Sequence, residues 1–267
     1  MNNPWFIEME DIFFIDHLKG WAVGNLSTVL CTTVGGISWS SQYASAYSSV
    51  NLRRIHFVNA EKGWIAGTGG TVLCTTDGGE SWSNQVTSTS NNLESIHFTD
   101  QENGWAVGEN GALLKTVDGG ENWVEQINAI SGCINNVCFS NVDNGWISTV
   151  NGKVFNTADG GSSWTEQSLP ADLYIERVAF AGEGSGWIVG QYGAICGTAN
   201  GGILWTAQCT GPKTWLSDIF ALSKDEVWAV GQNGHILHTS DGGFIWTEQT
   251  SGFDDHLRDV WFTGQYH

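Results

Sequence analysis

Residues Leu93 to Gln126 read LESIHFTDQENGWAVGENGALLKTVDGGENWVEQ, and four short strands are written into them. In LESIHF, Ile96 and Phe98 fall on one face at the strand period of two. The polar turn TDQEN leads to GWAVG, the Gly-containing hairpin ENG leads to ALLKT, and the turn VDGG leads to ENWVEQ. The same phrase recurs along the chain. Its first tryptophan falls at Trp21, Trp64, Trp105, Trp146, Trp187 and Trp228, at spacings of 43, 41, 41, 41 and 41 residues. A second follows each after 18 residues, at Trp39, Trp82, Trp123, Trp164, Trp205 and Trp246. A fixed period of this length means one supersecondary unit copied and stacked, and four antiparallel strands per period specify a β-propeller blade.

The expected fold is therefore all-β: a single propeller domain over residues 1–267, with repeats at about 9–50, 51–91, 92–132, 133–172, 173–213 and 214–254 and a partial seventh at 255–267. The seventh first strand is LRDVWF, whose Val260 matches Ile12, Ile55, Ile96, Val137, Val178 and Ile219. Six complete blades are expected, or seven if the last is truncated or completed by another chain. An unpaired blade edge of that kind would invite self-association.

A blade is covered on both faces by its neighbours, so the repeat tryptophans read as packing; Trp5, Trp215 and Trp261 are the tryptophans outside the repeat positions. The turn T-x-D-G-G-x-x-W places a carboxylate where it can accept backbone N–H groups, and its glycines permit positive φ. Asp77, Asp118, Asp159 and Asp241 are accordingly structural, and Asn200 keeps a carbonyl acceptor in the fifth unit. Val34 keeps none, so the first blade should have the weakest turn.

A formal charge of −18, with four arginines and six lysines, excludes the clustered basic surface that nucleic acid requires and disfavours an anionic membrane. No stretch approaches the about 18 apolar residues of a membrane span. MNNPWFIEMEDIFF has no basic segment followed by an apolar core, so no signal peptide is visible. The six cysteines do not form a disulfide framework, because Cys31 and Cys74 share a repeat position and Cys196 replaces a core hydrophobe. His56 and His97 also share a position, but sheets about 10 Å apart would keep them from sharing an ion. No metal site and no cofactor are assigned. Neither a nucleophile elbow nor a P-loop nor HExxH is present, and no carboxylate pair stands out, so catalysis is not expected.

The D-G-G turns resemble the Asp-box, a motif shared by sialidases, sortilin-type receptors and xyloglucan-cleaving glycosidases. The longer string from Trp105 to Gln126, and again from Trp228 to Gln249, resembles the photosystem II stability and assembly factor family of propellers. That resemblance implies a non-catalytic protein- or peptide-binding scaffold and favours an extracytoplasmic location. In the photosynthetic members binding is attributed to an arginine-rich patch on the ring. Here the first strands offer Arg53, Arg54, Arg177 and Arg258 amid Glu10, Asp11, Glu94, Glu176, Asp218 and Asp259, a departure that points to the non-photosynthetic relatives. The Asp-box kinship leaves a glycan-active protein, lectin or glycoside hydrolase, as the alternative. Function is expected in the variable loops from each fourth strand to the next first strand, where Tyr43, Tyr47, Tyr174, Trp215, Phe253, Asp254, Asp255 and His256 are the candidate binding residues.

Overall fold

The computed structural model describes residues 7–42, 50–128, 130–208 and 213–264. Six four-stranded antiparallel sheets, each a meander of consecutive strands, make six propeller blades. Blade 1 is β1 (Met9–Phe14), β2 (Gly20–Gly24), β3 (Val29–Thr32) and β4 (Ser40–Gln42); blade 2 is β5 (Leu52–Phe57), β6 (Gly63–Gly67), β7 (Val72–Thr75) and β8 (Ser83–Gln85). Blade 3 is β9 (Leu93–Phe98), β10 (Gly104–Gly108), β11 (Leu113–Thr116) and β12 (Val124–Glu125); blade 4 is β13 (Ile134–Phe139), β14 (Gly145–Thr149), β15 (Val154–Thr157) and β16 (Thr165–Gln167). Blade 5 is β17 (Ile175–Ala181), β18 (Ser185–Gly190), β19 (Ile195–Thr198) and β20 (Thr206–Ala207); blade 6 is β21 (Leu216–Ala221), β22 (Val227–Gly231), β23 (His235–Thr239) and β24 (Thr247–Thr250). The strands group into two compact units: residues up to Ala106 with Leu114–Glu125, and Val107–Leu113 with everything from Gln126 onward.

Packing between successive blades is set by the first tryptophan. Its ring lies flat on a phenylalanine in the last two residues of the next blade's first strand, with centroids 3.6 Å apart for Trp21 and Phe57, 3.5 Å for Trp64 and Phe98, and 3.6 Å for Trp146 and Phe180. A buried indole N–H also needs an acceptor. Trp21, Trp64, Trp146 and Trp187 find it in the first glycine carbonyl of the next blade's D-G-G or N-G-G turn, at 2.9, 3.0, 3.1 and 3.2 Å.

A glutamine at the end of the fourth strand completes the junction. Gln85, Gln167 and Gln208 donate Nε2 to that same carbonyl and accept the next blade's second tryptophan N–H on Oε1. The second glycine of the turn faces this amide: a Cβ on Gly120 would stand 1.9 Å from Gln85 Oε1, and one on Gly202 2.1 Å from Gln167 Oε1. Position as well as φ therefore demands glycine there. The first junction is looser, since Gln42 Oε1 and Trp82 Nε1 are buried without a hydrogen-bond partner.

Within each turn the threonine hydroxyl donates to the aspartate and accepts the second glycine N–H, while the carboxylate takes the N–H four residues on. In blade 2 these are Thr75 to Asp77 at 2.7 Å, Gly79 N to Thr75 at 2.8 Å and Ser81 N to Asp77 at 3.0 Å. Asn200 preserves the pattern, with Thr198 at 2.9 Å and Leu204 N at 2.9 Å. In blade 1, Thr32 still accepts Val34 N and Gly36 N, but no carboxylate closes the turn.

A one-residue bulge in the first strand, as between Met9 and Asp11, Ile134 and Asn136, or Leu216 and Asp218, turns a polar side chain toward the following blade. Asp11 accepts Ile55 N at 2.7 Å and Asn136 accepts Val178 N at 3.1 Å. Asp218 accepts Val260 N at 3.0 Å in the same way, although residues 255–262 join no sheet. Phe262 stands 5.1 Å from Trp228 and Trp261 stands 4.9 Å from Phe220, so this segment covers blade 6 as a next first strand would.

Two outcomes follow from the junctions and turns. Gln167→Leu strands the buried Trp205 N–H and should lower the unfolding free energy by about 1–3 kcal/mol, whereas Gln42→Leu, where the acceptor is already unused, should cost less; urea unfolding of both variants checks the order. Asp77, Asp118 and Asp159 are held down to about 2, first by the hydrogen bonds from Ser81, Asn122 and Ser163. Folded carboxylates below their unfolded value stabilise at pH above about 4 and lose that contribution as pH falls through about 2. Asp118→Asn should accordingly be less stable than the parent at pH 7, and the gap should close in unfolding measured near pH 2.

Candidate functional site

The loops that enter the first strands are fastened to the turns between second and third strands. Gln191 N donates to Tyr174 O at 3.0 Å, Gln232 N to Trp215 O at 2.9 Å, and Gly234 N to Asp255 O at 2.7 Å. Both sets of loops therefore emerge at one end of a blade. On blades 5 and 6 that end carries Tyr174, Tyr192 and Phe253, which are 57, 70 and 68% exposed.

The same end carries a partly buried polar group. Burial raises the Glu176 carboxyl above its ordinary value, while the Arg177 guanidinium, the Gln191 amide and the Trp215 indole beside it pull the other way. The Trp215 ring lies 6.0 Å from the His256 ring, and His256 Nε2 shares a hydrogen bond with Ser217 Oγ. Burial, and secondarily Arg258, hold the His256 imidazole below its usual pKa, so it is neutral at pH 7. Ser251 fixes the loop by bonding both the Phe253 N–H and its carbonyl. Of the candidate residues, Trp215 and His256 are in contact; Tyr174, Phe253, Asp254 and Asp255 are exposed on loops at the same end of blades 5 and 6. Tyr43 and Tyr47 lie outside the described residues.

Tyr192 is the residue that sequence reasoning missed. It occupies the left-handed region at φ 59°, where blades 2, 3 and 6 place Gly69, Asn110 and Asn233 and blade 1 places Leu26 at φ 54°. A tyrosine there carries backbone strain that glycine or asparagine escapes. The signal was present as Q-Y-G standing where blades 2, 3 and 6 read T-G-G, E-N-G and Q-N-G, while blade 1 reads N-L-S.

The first-strand arginines are engaged in ion pairs between blades. Arg54 meets Asp11 at 2.6 Å, Arg177 meets Asp218 at 3.3 Å, and Arg53 lies between Glu10 and Glu94 at 3.4 and 3.6 Å. The histidine expectation needs correcting. His56 and His97 have ring centroids only 4.6 Å apart, because neighbouring first strands converge more closely than the about 10 Å of stacked sheets. His56 is held well below its usual pKa by burial and then by His97, and among the described residues no three metal-ligating side chains gather.

Residues 4–90, 83–173, 125–214 and 165–258 each match a family model described as photosynthesis system II assembly factor YCF48. A solved structure of YCF48 bound to D1 peptide is similar, with a TM-score of 0.76 and 24% identity over 92% of this chain and 81% of that one. YCF48 from Cyanidioschyzon merolae aligns with a TM-score of 0.77 and 20% identity over 95 and 88% of the two chains. A GH74 enzyme from Niastella koreensis aligns with a TM-score of 0.73 at 13% identity, over 89% of this chain but 45% of the other. No curated protein matches the chain. At these identities the structural likenesses establish the fold.

Tyr192→Asn should remove the left-handed strain and raise the unfolding free energy by about 1 kcal/mol, measured by denaturant unfolding. A loss of stability would mean that the exposed ring packs in a way its 70% exposure does not suggest.

Proposed function

The chain belongs to the photosynthesis system II assembly factor YCF48 family, and we propose that it is a non-catalytic scaffold whose loop face on blades 5 and 6 holds a segment of a protein partner. The observation that carries this reading is Tyr192, a large ring kept exposed in a strained backbone at the blade end that also carries Tyr174 and Phe253. Rigid aromatic side chains lose little entropy on contact and supply most of the energy in small interfaces. The similar YCF48 structure with a D1 peptide supports a peptide as the kind of ligand.

The polar groups suggest its character. Glu176, Asp254 and Asp255 at this end offer acceptors and negative charge, while Arg53, Arg54 and Arg177 are already paired with carboxylates. A segment with backbone or side-chain donors, rather than an acidic one, suits this face.

The test is binding of immobilised D1 peptide and of a randomised peptide library to the parent and to a Tyr192→Asn, Trp215→Ala, Phe253→Ala variant. Selected peptides should bind the variant at least tenfold more weakly, a loss of about 1.4 kcal/mol or more. Equal binding by the variant would remove this face from the reading. Recognition of a glycan array in place of peptides would replace it with the lectin alternative.

A further inference from the structure

At the opposite end of the blades, two tip residues follow the glycines of each turn between third and fourth strands, and the repeats show their usual character. They are Glu80 and Ser81 in blade 2, Glu121 and Asn122 in blade 3, and Ser162 and Ser163 in blade 4. Blade 1 has one apolar residue there, Ile37 beside Ser38. Blades 5 and 6 have four: Ile203, Leu204, Phe244 and Ile245, exposed by 83, 64, 91 and 65%.

The turn itself does not call for them. Its need at this point is a backbone N–H, supplied by Leu204 and Ile245 at 2.9 Å just as Ser81 supplies it at 3.0 Å in blade 2. Four large apolar side chains facing water on adjacent turns form the kind of patch that marks an interaction site.

A groove of about 410 Å³ runs beside these tips, with Gly197, Ala199, Leu204, Ala207 and Phe244 on its walls. It too arises where blade 5 departs from the repeat. Ala207 stands where the other blades carry Ser41, Asn84, Glu125, Glu166 and Glu248, and Asn200 replaces the charged aspartate. Gly197 replaces Cys31, Cys74, Lys115, Asn156 and His238; a Cβ there would stand 2.3 Å from the Gln208 amide. Each departure removes bulk or charge at one place. The groove also follows β20, the edge strand of its sheet, which can pair with an added extended backbone.

We propose that this groove is a second docking site, for an extended protein segment that seats one Leu- or Phe-sized side chain with lysine or arginine on either side of it. The lining is uncharged, but Asp241, in the turn that forms one wall, is held ionised by the Ile245 N–H and Thr239, whereas the Asp225 carboxylate behind Gly242 is already paired with Lys224 at 2.6 Å. A second copy of this chain, at −18, or an anionic lipid surface would meet repulsion, whereas flanking basic residues complement the rim.

Leu204→Ser, Ala207→Glu and Phe244→Glu install residues that the chain already uses in other blades, so a combined variant should fold, and its unfolding midpoint verifies that. The probes are fluorescent nine-residue peptides with a central Phe or Leu, flanked either by Lys and Arg or by Glu. The basic set should bind the parent, weaken at least tenfold in the combined variant, and keep its affinity in Trp215→Ala, Phe253→Ala, which alters only the other end of the blades. Absence of binding, equal binding by the folded combined variant, or equal binding of the Glu-flanked set would overturn the proposal. Concentration-dependent self-association, or binding to phosphatidylglycerol vesicles, that is lost in the combined variant without peptide binding would overturn it in favour of those occupants. Because the Trp215 and Phe253 variant tests the loop face separately, either site can fail without the other.

Discussion

A single carbonyl oxygen organises the junctions of blades 2 and 3, 4 and 5, and 5 and 6: that of the first glycine in the turn between third and fourth strands. It receives the indole N–H of the preceding blade's buried tryptophan and, beside it, the amide of the preceding blade's last glutamine. Burying an indole without an acceptor costs about 1–3 kcal/mol. The acceptor must therefore be held at one place, and two successive glycines with positive φ hold it there. The threonine and aspartate lock those glycines. The motif recurs because each copy serves its neighbour as well as its own blade, which makes the stability of a blade a property of the pair.

This dependence explains what the sequence disclosed and what it hid. Period, strand order and turn chemistry are relations within one blade, and Trp105 to Gln126 states them in order. The family resemblance rests on the same string. Relations between blades depend on distance from the convergence of the strands, which the period does not encode. Stacked-sheet spacing applied to His56 and His97 therefore gave too large a separation, and the pairing of Arg54 with Asp11 across blades left no trace in the repeat. Gln85 and its equivalents were visible as repeat residues, but their role appears only when the next blade's glycine carbonyl is beside them.

The candidate site was legible in part for the same reason. Trp215, Phe253 and His256 drew notice because they lie in loops that vary, and the structure does bring Trp215 and His256 together. Tyr192 sits inside the repeat, where regularity suggested scaffold. Its meaning lies in its backbone: Asn110 and Asn233 tolerate the left-handed region that Tyr192 enters at a cost. An outlier within a repeat is more informative than variation within a loop, because the other copies supply its control.

That control also separates constraint from freedom on blades 5 and 6. Every group that a junction uses is retained there: Trp187, Gln208, Gly242 and Trp246 make the same contacts as their counterparts in blades 2 and 3. The departures at the left-handed turn, at the apolar tips and in the groove at Gly197 and Ala207 lie outside these junction hydrogen bonds. Random drift would have no reason to exchange polar for apolar residues on adjacent tips while leaving the junction groups untouched. Exposed apolar side chains in a chain of −18 charge also oppose the solubility that its acidity confers. A contact that covers them resolves this opposition, and the same negative charge selects which surfaces can approach to make it.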